Sequence, residues 1–403
     1  MILTHLSLTN YRIFSRLDMD VPRRILLLVG GNAQGKTSLL EAVYYLAVFS
    51  SFHTPNDRQL INFIAGGEKL AVARLVAQYE RQGKSHRLEV RIIQETEGFN
   101  APRLRKEILL DGVKHSQQES VGHFNAVIFL PQMMQMIDGA PELRRRYLNL
   151  ALAQAVPGYG QVLSKYSQAV TQRNALLKQL AERGGDRNQL DYWDDLLSET
   201  GSYLIKMRIM ALDELERLAG QTHHHLTQGQ EVLRIIYRQA FDPQEDNNAQ
   251  YALPMATAVN RSGLQREEIC DRFRERLLAV RQEEIMRGVT TIGPHRDEVR
   301  FWANGIDLGD FGSRGQVRSA LLSLKLAEVD WLKEKTGQMP VLLLDEILAE
   351  LDAQRREVLM AYLERSEQAL LTTTDLTQFT PGFIQNSTRW KVQSGQVLQM
   401  EID

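Results

Sequence analysis

The sequence predicts an α/β protein: a head made of a mixed sheet with helices and an antiparallel β-subdomain, and an inserted α-helical lobe. Three observations lead to this fold class. The apolar run 25–29 has the pattern of a strand buried on both faces and leads into a glycine-rich turn. Residues 69–110 alternate between apolar and polar, as antiparallel strands do. The stretch 141–288 is charged and has helical spacing instead.

The helical lobe carries a short antiparallel helical arm in this prediction. One apolar stripe with heptad spacing ends at Leu180, a second begins at Trp193, and two glycines at 184–185 separate them. From about Thr290 the chain returns to α/β character, so the two ends of the sequence are expected to form one head. The predicted parts are 1–140 for the N-terminal part of the head, 141–288 for the lobe, and 289–403 for the C-terminal part of the head.

Composition limits the possible classes of protein. The chain has 403 residues, 43% of them hydrophobic, which is enough to bury the cores of two domains. Its 48 basic and 50 acidic residues give a formal charge of -2, so a polyanion site must be a local patch. The single cysteine, Cys270, excludes an intrachain disulfide and a multi-cysteine zinc site. We find no signal-peptide pattern and no apolar run of about 20 residues, and therefore expect a cytosolic protein.

The glycine-rich turn is a candidate phosphate-binding loop. Residues 30–37 fit the pattern G-x-x-x-x-G-K-[ST] between a predicted strand and a helix from 38 to 48. Glycines let backbone N–H groups approach phosphate closely, and the helix N-terminus adds positive potential. We expect Lys36 to bridge the β- and γ-phosphates and the Thr37 hydroxyl to bind Mg²⁺. The predicted nucleotide-binding residues are Gly30, Gly31, Asn32, Ala33, Gln34, Gly35, Lys36, Thr37 and Ser38.

A second apolar strand, at 341–344, delivers two acids at its carboxyl end. This is the edge at which α/β sheets bind ligands. Asp345 is predicted to hold Mg²⁺ and Glu346 to act as the general base that polarises the attacking water.

Just upstream, the segment 311–316 precedes a helix predicted at about 316–335. Serine and glycine at a helix N-terminus offer free N–H groups, the helix dipole and a hydroxyl to an anion. The alternative is a simple N-cap. The position next to the acidic strand favours a second nucleotide-binding segment made of Ser313, Gly315 and Gln316.

These three motifs together resemble the ABC class of P-loop ATPases. The resemblance implies an ABC-type head and an ATP-sandwiched homodimer. In this dimer the signature segment of one subunit, which is 311–316 in this sequence, closes over ATP held by the other subunit. Asp352 matches the family's D-loop position at this interface, and Gln132 is a candidate for the loop glutamine that senses magnesium. The expected catalytic residues are therefore Glu346, Lys36 and Gln132.

Further segments are similar to the RecF family of bacterial recombination mediators, which have an SMC-like head. They include Asn10-Tyr11-Arg12 and the Gly-Pro-His-Arg-Asp stretch at 293–297. The resemblance implies a weak DNA-dependent ATPase of replication, repair and the SOS response, nucleoid-associated in the cytoplasm, with Arg12 at the nucleotide. It also implies that an ATP-induced dimer binds duplex DNA, gapped DNA and single-stranded/duplex junctions and, with RecR and RecO, promotes RecA loading. Thr374 stands at the switch-histidine position, which implies slow hydrolysis that releases the dimer.

Two other features allow alternatives. Basic clusters at 103–106 and 144–146 are suited to DNA phosphates, although each is more often a solvated face. The run His223-His224-His225 invites a metal site, but neighbouring positions on a helix point in different directions, so a surface or partly packed run is expected.

Other ATPase classes fit the sequence less well. Long-armed SMC proteins need far longer arms, and their zinc-hook relatives need a Cys-x-x-Cys motif. A transporter ATPase has a smaller helical insert and a switch histidine. A scaffold that only binds nucleotide would be expected to lack Lys36 or Glu346, and both are present.

Overall fold

Two six-stranded sheets and one three-stranded sheet form within residues 1–96, 103–243 and 263–400, which the computed structural model describes. The strands are β1 (Ile2–Tyr11), β2 (Phe14–Asp20), β3 (Arg24–Val29), β4 (Leu70–Arg81), β5 (Lys84–Glu95), β6 (Arg103–Leu110), β7 (Val113–His115), β8 (Ala126–Phe129), β9 (Leu233–Arg238), β10 (Glu298–Ala303), β11 (Ile306–Asp307), β12 (Val341–Asp345), β13 (Gln368–Thr373), β14 (Thr388–Gln393) and β15 (Gln396–Gln399).

The α-helices in the same ranges differ widely in length. They are α1 (Lys36–Val48), α2 (Gln117–Ser120), α3 (Gln135–Asp138), α4 (Pro141–Ala155), α5 (Tyr159–Arg183), α6 (Asp191–Leu226), α7 (Arg266–Arg287), α8 (Leu308–Phe311), α9 (Arg314–Thr336), α10 (Ala353–Glu364) and α11 (Pro381–Gln385). Within these described ranges, none of the helices has the length and apolar character that a membrane span requires.

The chain divides into two units. The first contains Met1–Met133 and Lys325–Asp403, and the second contains Met134–Leu324. The boundaries predicted from the sequence, after 140 and after 288, differ from this division. The reason lies in the three-stranded sheet of the second unit: β10 pairs with β9, which lies inside the predicted helical lobe. Strand pairing therefore assigns the residues just after 288 to the second unit.

The first unit contains a mostly parallel sheet in the order β15-β14-β3-β13-β12-β8. The neighbours from β8 to β14 are parallel, and only β15 pairs antiparallel. All five residues of β12 are buried, as are the four central residues of β3, which explains their unbroken apolar sequences. Because parallel strands end at the same edge, the loop after β3 and the acids after β12 share that edge.

The second sheet of this unit is antiparallel, in the order β2-β1-β4-β5-β6-β7. The strands expected between 69 and 110 are confirmed as β4, β5 and β6. β1 and β2, which the sequence analysis did not predict, extend the sheet on the other side. The predicted combination of a mixed sheet with an antiparallel β-subdomain is therefore confirmed.

The second unit contains the predicted antiparallel pair, α5 and α6, and a third long helix, α7, that packs on both. A buried ionic network links the three helices. The fully buried Arg173 donates to Asp194 at 2.7 Å and to Glu284 at 2.6 Å. Because its partners lie on α6 and α7, one arginine on α5 fixes the packing of all three helices.

The Gly-Pro-His-Arg-Asp stretch is held inside the second unit by buried polar contacts. Arg208 pairs with Asp297 at 3.0 Å, and Tyr166 Oη lies 2.7 Å from His295 Nδ1. Gly293 has φ +114°, and a Cβ there would lie 2.5 Å from Tyr166 Oη. Burial lowers the pKa of His295 to about 4, so the ring is neutral at physiological pH. The segment is therefore a packed connection in this unit.

Candidate functional site

A cavity of about 400 Å³ opens at the carboxyl edge of the parallel sheet in the first unit. It brings together most of the predicted site: loop residues 32–38, Gln132, Asp345 and Glu346 all line it. Three lining residues, Ile13, His53 and Pro131, were not predicted. Ile13 follows the matched Asn-Tyr-Arg segment directly, whereas no local signal distinguishes His53.

The phosphate loop has a backbone that its glycines make possible. Gly35 has φ +108°, and a Cβ there would approach Ile13 Cγ2 at 2.9 Å and a Phe14 ring carbon at 3.1 Å. A Cβ at Gly30 would lie 2.3 Å from the carbonyl oxygen of Val392. Helix α1 begins at Lys36, within the last two residues of the loop motif. Its first N–H groups, which have no partner within the helix, are therefore available at the loop for an anion.

The hairpin formed by β14 and β15 supports the loop from outside. The Ser394 N–H donates to the side-chain oxygen of Gln34 at 2.7 Å, and the Gly395 N–H donates to the Gln34 carbonyl at 3.2 Å. The sequence analysis did not predict this hairpin. These two hydrogen bonds hold Gln34, and with it the backbone at the centre of the phosphate loop.

Lys36 lies beneath the loop and is 4% exposed. Its ammonium donates to the carbonyls of Gly30 at 2.6 Å and Gly31 at 2.9 Å, and lies 3.0 Å from Glu346 Oε1. The lysine is thus held between the loop and the predicted general base. In this position a bound γ-phosphate and Glu346 would compete for the same cation.

Thr37 and Asp345 meet directly, as the magnesium prediction requires. The Thr37 hydroxyl lies 2.9 Å from both carboxylate oxygens of Asp345. A hydroxyl and a carboxylate are oxygen ligands that suit Mg²⁺. Among the described residues no cluster of three or more His, Cys, Asp or Glu side chains could hold a metal ion. Mg²⁺ at this site would therefore depend on phosphate oxygens and water for its remaining ligands.

Thr372 on β13 is a site residue that the sequence analysis missed. Its hydroxyl lies 2.7 Å from Asp345 Oδ1 and accepts from the backbone N–H of Glu346 at 3.0 Å. Glu346 has φ +49°, a strained left-handed conformation for a residue with a side chain. Thr372 is the β-sheet neighbour of Asp345, so only strand pairing identifies it. It fixes both acids at the end of β12.

The other predicted residues of the first unit lie outside the lining of the cavity. Arg12 makes a bidentate pair with the buried Glu41, at 2.8 and 2.7 Å. Burial alone would lower the pKa of Arg12, but the bonds to Glu41 outweigh this and raise it. Asp352 is the N-cap of α10 and accepts from the Arg355 N–H at 2.9 Å. Thr374 is exposed just after β13. The nucleotide and interface roles of these residues remain predictions.

The signature residues belong to the second unit. Ser313 is exposed immediately before α9 and forms a reciprocal cap with Gln316. The Gln316 N–H donates to Ser313 Oγ at 3.2 Å, and the Ser313 N–H donates to Gln316 Oε1 at 3.0 Å. The expected helix N-terminus is confirmed, including the N-cap that was its simpler explanation. Gly315 lies in the first turn of this helix.

Both basic clusters contain cations that are paired with carboxylates. Arg144 is 3% exposed and makes a bidentate pair with Glu298, at 2.7 and 2.9 Å. Arg105 and Lys106 pair with Glu107 and Asp57 respectively. The interpretation of Arg144 as a DNA contact is wrong, because a buried arginine with both ends paired is not available to phosphate.

Comparison with known proteins gives one family match. The family described as RecF/RecN/SMC N terminal domain matches residues 2–393. A relative from Chloroflexus aurantiacus, named DNA replication and repair protein RecF, is 37% identical over 98% of this chain and 99% of its own length. A relative of the same name from Herpetosiphon aurantiacus is 35% identical with the same coverage.

Solved structures agree with this match. A structure described as the recombination mediator protein RecF with ATP in the RecFOR pathway has a TM-score of 0.82 and 28% identity. It covers 99% of this chain, and this chain covers 98% of it. A second structure, described as the recombination mediator protein RecF with ATPrS in the RecFOR pathway, gives the same values. The likeness over the full length confirms the predicted ABC-type head fold and the resemblance to the RecF family.

Proposed function

The chain belongs to the RecF/RecN/SMC N-terminal domain family, and on this basis we propose that it is an ATP-dependent DNA-repair protein of the RecF kind. The observation that carries the proposal is the cavity in which the phosphate loop, Asp345 and Glu346 meet. ATP is the ligand that suits this cavity, and the similar structures carry ATP and ATPrS in their descriptions.

ATP hydrolysis follows from the positions of three side chains. The phosphates lie along the backbone N–H groups of 32–38, and Lys36 moves its charge from Glu346 to the γ-phosphate. This releases the Glu346 carboxylate, which then accepts a proton from the attacking water. Gln132, on the wall of the same cavity, would sense Mg²⁺ bound there. Thr37 and Asp345 would hold Mg²⁺, which supplies charge neutralisation at the phosphates.

The site of one chain is incomplete in this proposal. Ser313, Gly315 and Gln316 form a second anion-binding N-terminus, and ATP joins two copies of the chain when this segment contacts the nucleotide of the other copy. Asp352 lies at the same interface. Hydrolysis is slow because Thr374 offers a weaker contact than a histidine, and product formation releases the dimer.

The dimer binds duplex and gapped DNA and acts with RecR and RecO to load RecA at single-strand gaps. Support comes from the names of the relatives and from the description of the similar structures as part of a RecFOR pathway. The formal charge of -2 means that DNA must meet a local surface of the dimer. ATP binding therefore sets how long the protein stays on DNA.

Glu346→Gln is expected to slow hydrolysis by about 100-fold or more while ATP still binds, because a general base contributes about 10² to 10⁴ to the rate. The amide cannot accept the proton from water, and without its charge it competes less strongly for Lys36. Phosphate release in a single turnover measures the effect. The matched control is Glu364→Gln, a carboxylate exposed at the end of α10. If the rate of hydrolysis falls by less than about tenfold, a residue other than Glu346 is the general base.

Binding to gapped, blunt and single-stranded DNA tests the wider function. With ATP present, we expect a preference for duplex and gapped DNA that weakens as salt rises, because phosphate contacts release counterions. Fluorescence anisotropy at two salt concentrations measures both. The Lys36→Ala variant serves as the control without ATP binding. If DNA binding is equal with and without ATP, the protein is a generic ABC-type ATPase and the repair function is withdrawn.

A further inference from the structure

His223 lies in the interior of the second unit, so the histidine run is partly packed, which is one of the two outcomes that the sequence predicts. Its side chain is 0% exposed, whereas His224 and His225 are exposed. Its ring nitrogens have two different partners. Nδ1 lies 3.1 Å from the Ser323 hydroxyl on α9, and Nε2 lies 3.0 Å from Glu231 Oε2.

The direction of the bond to Glu231 follows from the chemistry of its partners. A carboxylate can only accept, so the hydrogen of this bond is on His223 Nε2. The second oxygen of Glu231 accepts from the Gln316 side-chain amide at 2.9 Å. Both carboxylate oxygens of Glu231 therefore accept a hydrogen bond, one from the buried histidine and one from the first turn of α9.

The bond from Gln316 to Glu231 also determines how Gln316 contacts Ser313. Its Nε2 is fixed on Glu231, so its Oε1 must face the other way, where it accepts from the Ser313 N–H at 3.0 Å. The Ser313 hydroxyl accepts from the Gln316 N–H at 3.2 Å, which leaves its own hydrogen available to donate. The four residues form one directed chain: His223 to Glu231, Gln316 and Ser313.

We propose that Glu231, fixed by His223, is a positioning residue that orients the signature segment for the nucleotide of a second copy. The inference rests on the function proposed above, because it assumes that Ser313 contacts that nucleotide. A free glutamine side chain rotates, and its oxygen then no longer holds the Ser313 N–H. With Glu231 in place, the amide has one orientation, and the Ser313 hydroxyl is ready to donate before ATP arrives.

Glu231→Gln tests this without leaving a cavity. The two side chains have nearly the same shape, but the amide has one accepting oxygen, and both of its neighbours, His223 and Gln316, are donors. As long as the His223 ring keeps its hydrogen on Nε2, one of the two bonds must fail. We expect hydrogen exchange in a peptide covering 311–317 to become about tenfold faster and ATP-driven dimerisation to weaken about tenfold, while ATP binding by the single chain is unchanged.

Glu298→Gln is the matched control. Glu298 is 17% exposed and Glu231 is 18% exposed, both lie in the second unit, and Glu298 also uses both oxygens, on Arg144. It has no bond to the signature segment among the described residues. Glu298→Gln also weakens the unit, because it removes the charge that pairs with the buried Arg144, and thermal unfolding measures the destabilisation of each variant. Only Glu231→Gln should accelerate exchange in 311–317.

The double variant Glu231→Gln with Gln316→Glu provides a rescue. The exchanged pair can form every bond again: Gln at 231 accepts from His223 and donates to Glu at 316, which accepts from the Ser313 N–H. Exchange in 311–317 should return to the wild-type rate. Dimerisation is not the readout here, because the new carboxylate would repel phosphate.

The outcomes separate the positioning role of Glu231 from the proposed composite site of the dimer. If Glu231→Gln changes exchange and dimerisation no more than Glu298→Gln does, or if the double variant does not restore exchange, the positioning role is wrong. If the wild-type protein does not dimerise with ATP, the composite site is wrong. The exchange measurement then still decides whether Glu231 orders the segment, and the positioning role for a second copy is withdrawn with the composite site.

Discussion

Lys36→Ala is expected to lower the affinity for ATP by at least about 100-fold. Loss of one member of a buried charged contact costs about 2–5 kcal/mol, and each 1.4 kcal/mol is about tenfold in affinity. Lys36 is 4% exposed and has three oxygens within 3.0 Å, so its charge is held where the phosphates must lie. Isothermal titration with ATP measures the loss.

The fold should survive this substitution, because Glu346 is 39% exposed and remains solvated without its partner. Lys106→Ala is the matched control. Its ammonium pairs with Asp57 at 2.7 Å and is 21% exposed, but it does not line the cavity. That variant should bind ATP like the wild type. An affinity for Lys36→Ala within about threefold of the wild type would exclude the cavity as the phosphate site.

Ser313→Arg is expected to prevent ATP-driven dimerisation while each chain still binds ATP. The dimer dissociation constant should rise by at least about 100-fold. The exposed Ser313 lies at the N-terminus of α9, and an arginine places a long side chain on the surface that must receive the nucleotide of the other copy. Steric exclusion at such a contact costs several kcal/mol. Light scattering with and without ATP measures the assembly.

The substitution also removes a helix cap, and a control must account for this. Ser116 caps α2 with the same reciprocal pattern, in which Glu119 takes the place of Gln316. Ser116→Arg should cost a similar amount of stability, about 1 kcal/mol, and leave dimerisation unchanged. A Ser313→Arg protein that dimerises with ATP as the wild type does would rule out contact of the signature segment across the dimer.

The sequence by itself determined the chemistry at the carboxyl edge of the parallel sheet. The phosphate loop is continuous along the chain, so its glycines, Lys36 and Thr37 keep their spacing in any fold that places a strand before it and a helix after it. Asp345 and Glu346 follow an apolar strand, and parallel strands end at a common edge. Local pattern and one rule of sheet topology were therefore enough to bring Thr37 and Asp345 together, 308 residues apart.

The tertiary structure decided which side chains support that chemistry. Thr372 is known only from the register of β13 against β12, and the support of Gln34 by the hairpin crosses 360 residues. Burial likewise changed Arg144 from a candidate DNA contact to an internal ion pair, and packing gave the buried His223 a partner, Glu231, that also holds Gln316 of the signature segment. Periodicity reports which face of an element is buried, but not which partner a polar side chain meets there. That partner depends on how distant elements pack, because buried polar groups take whichever neighbours the packing provides.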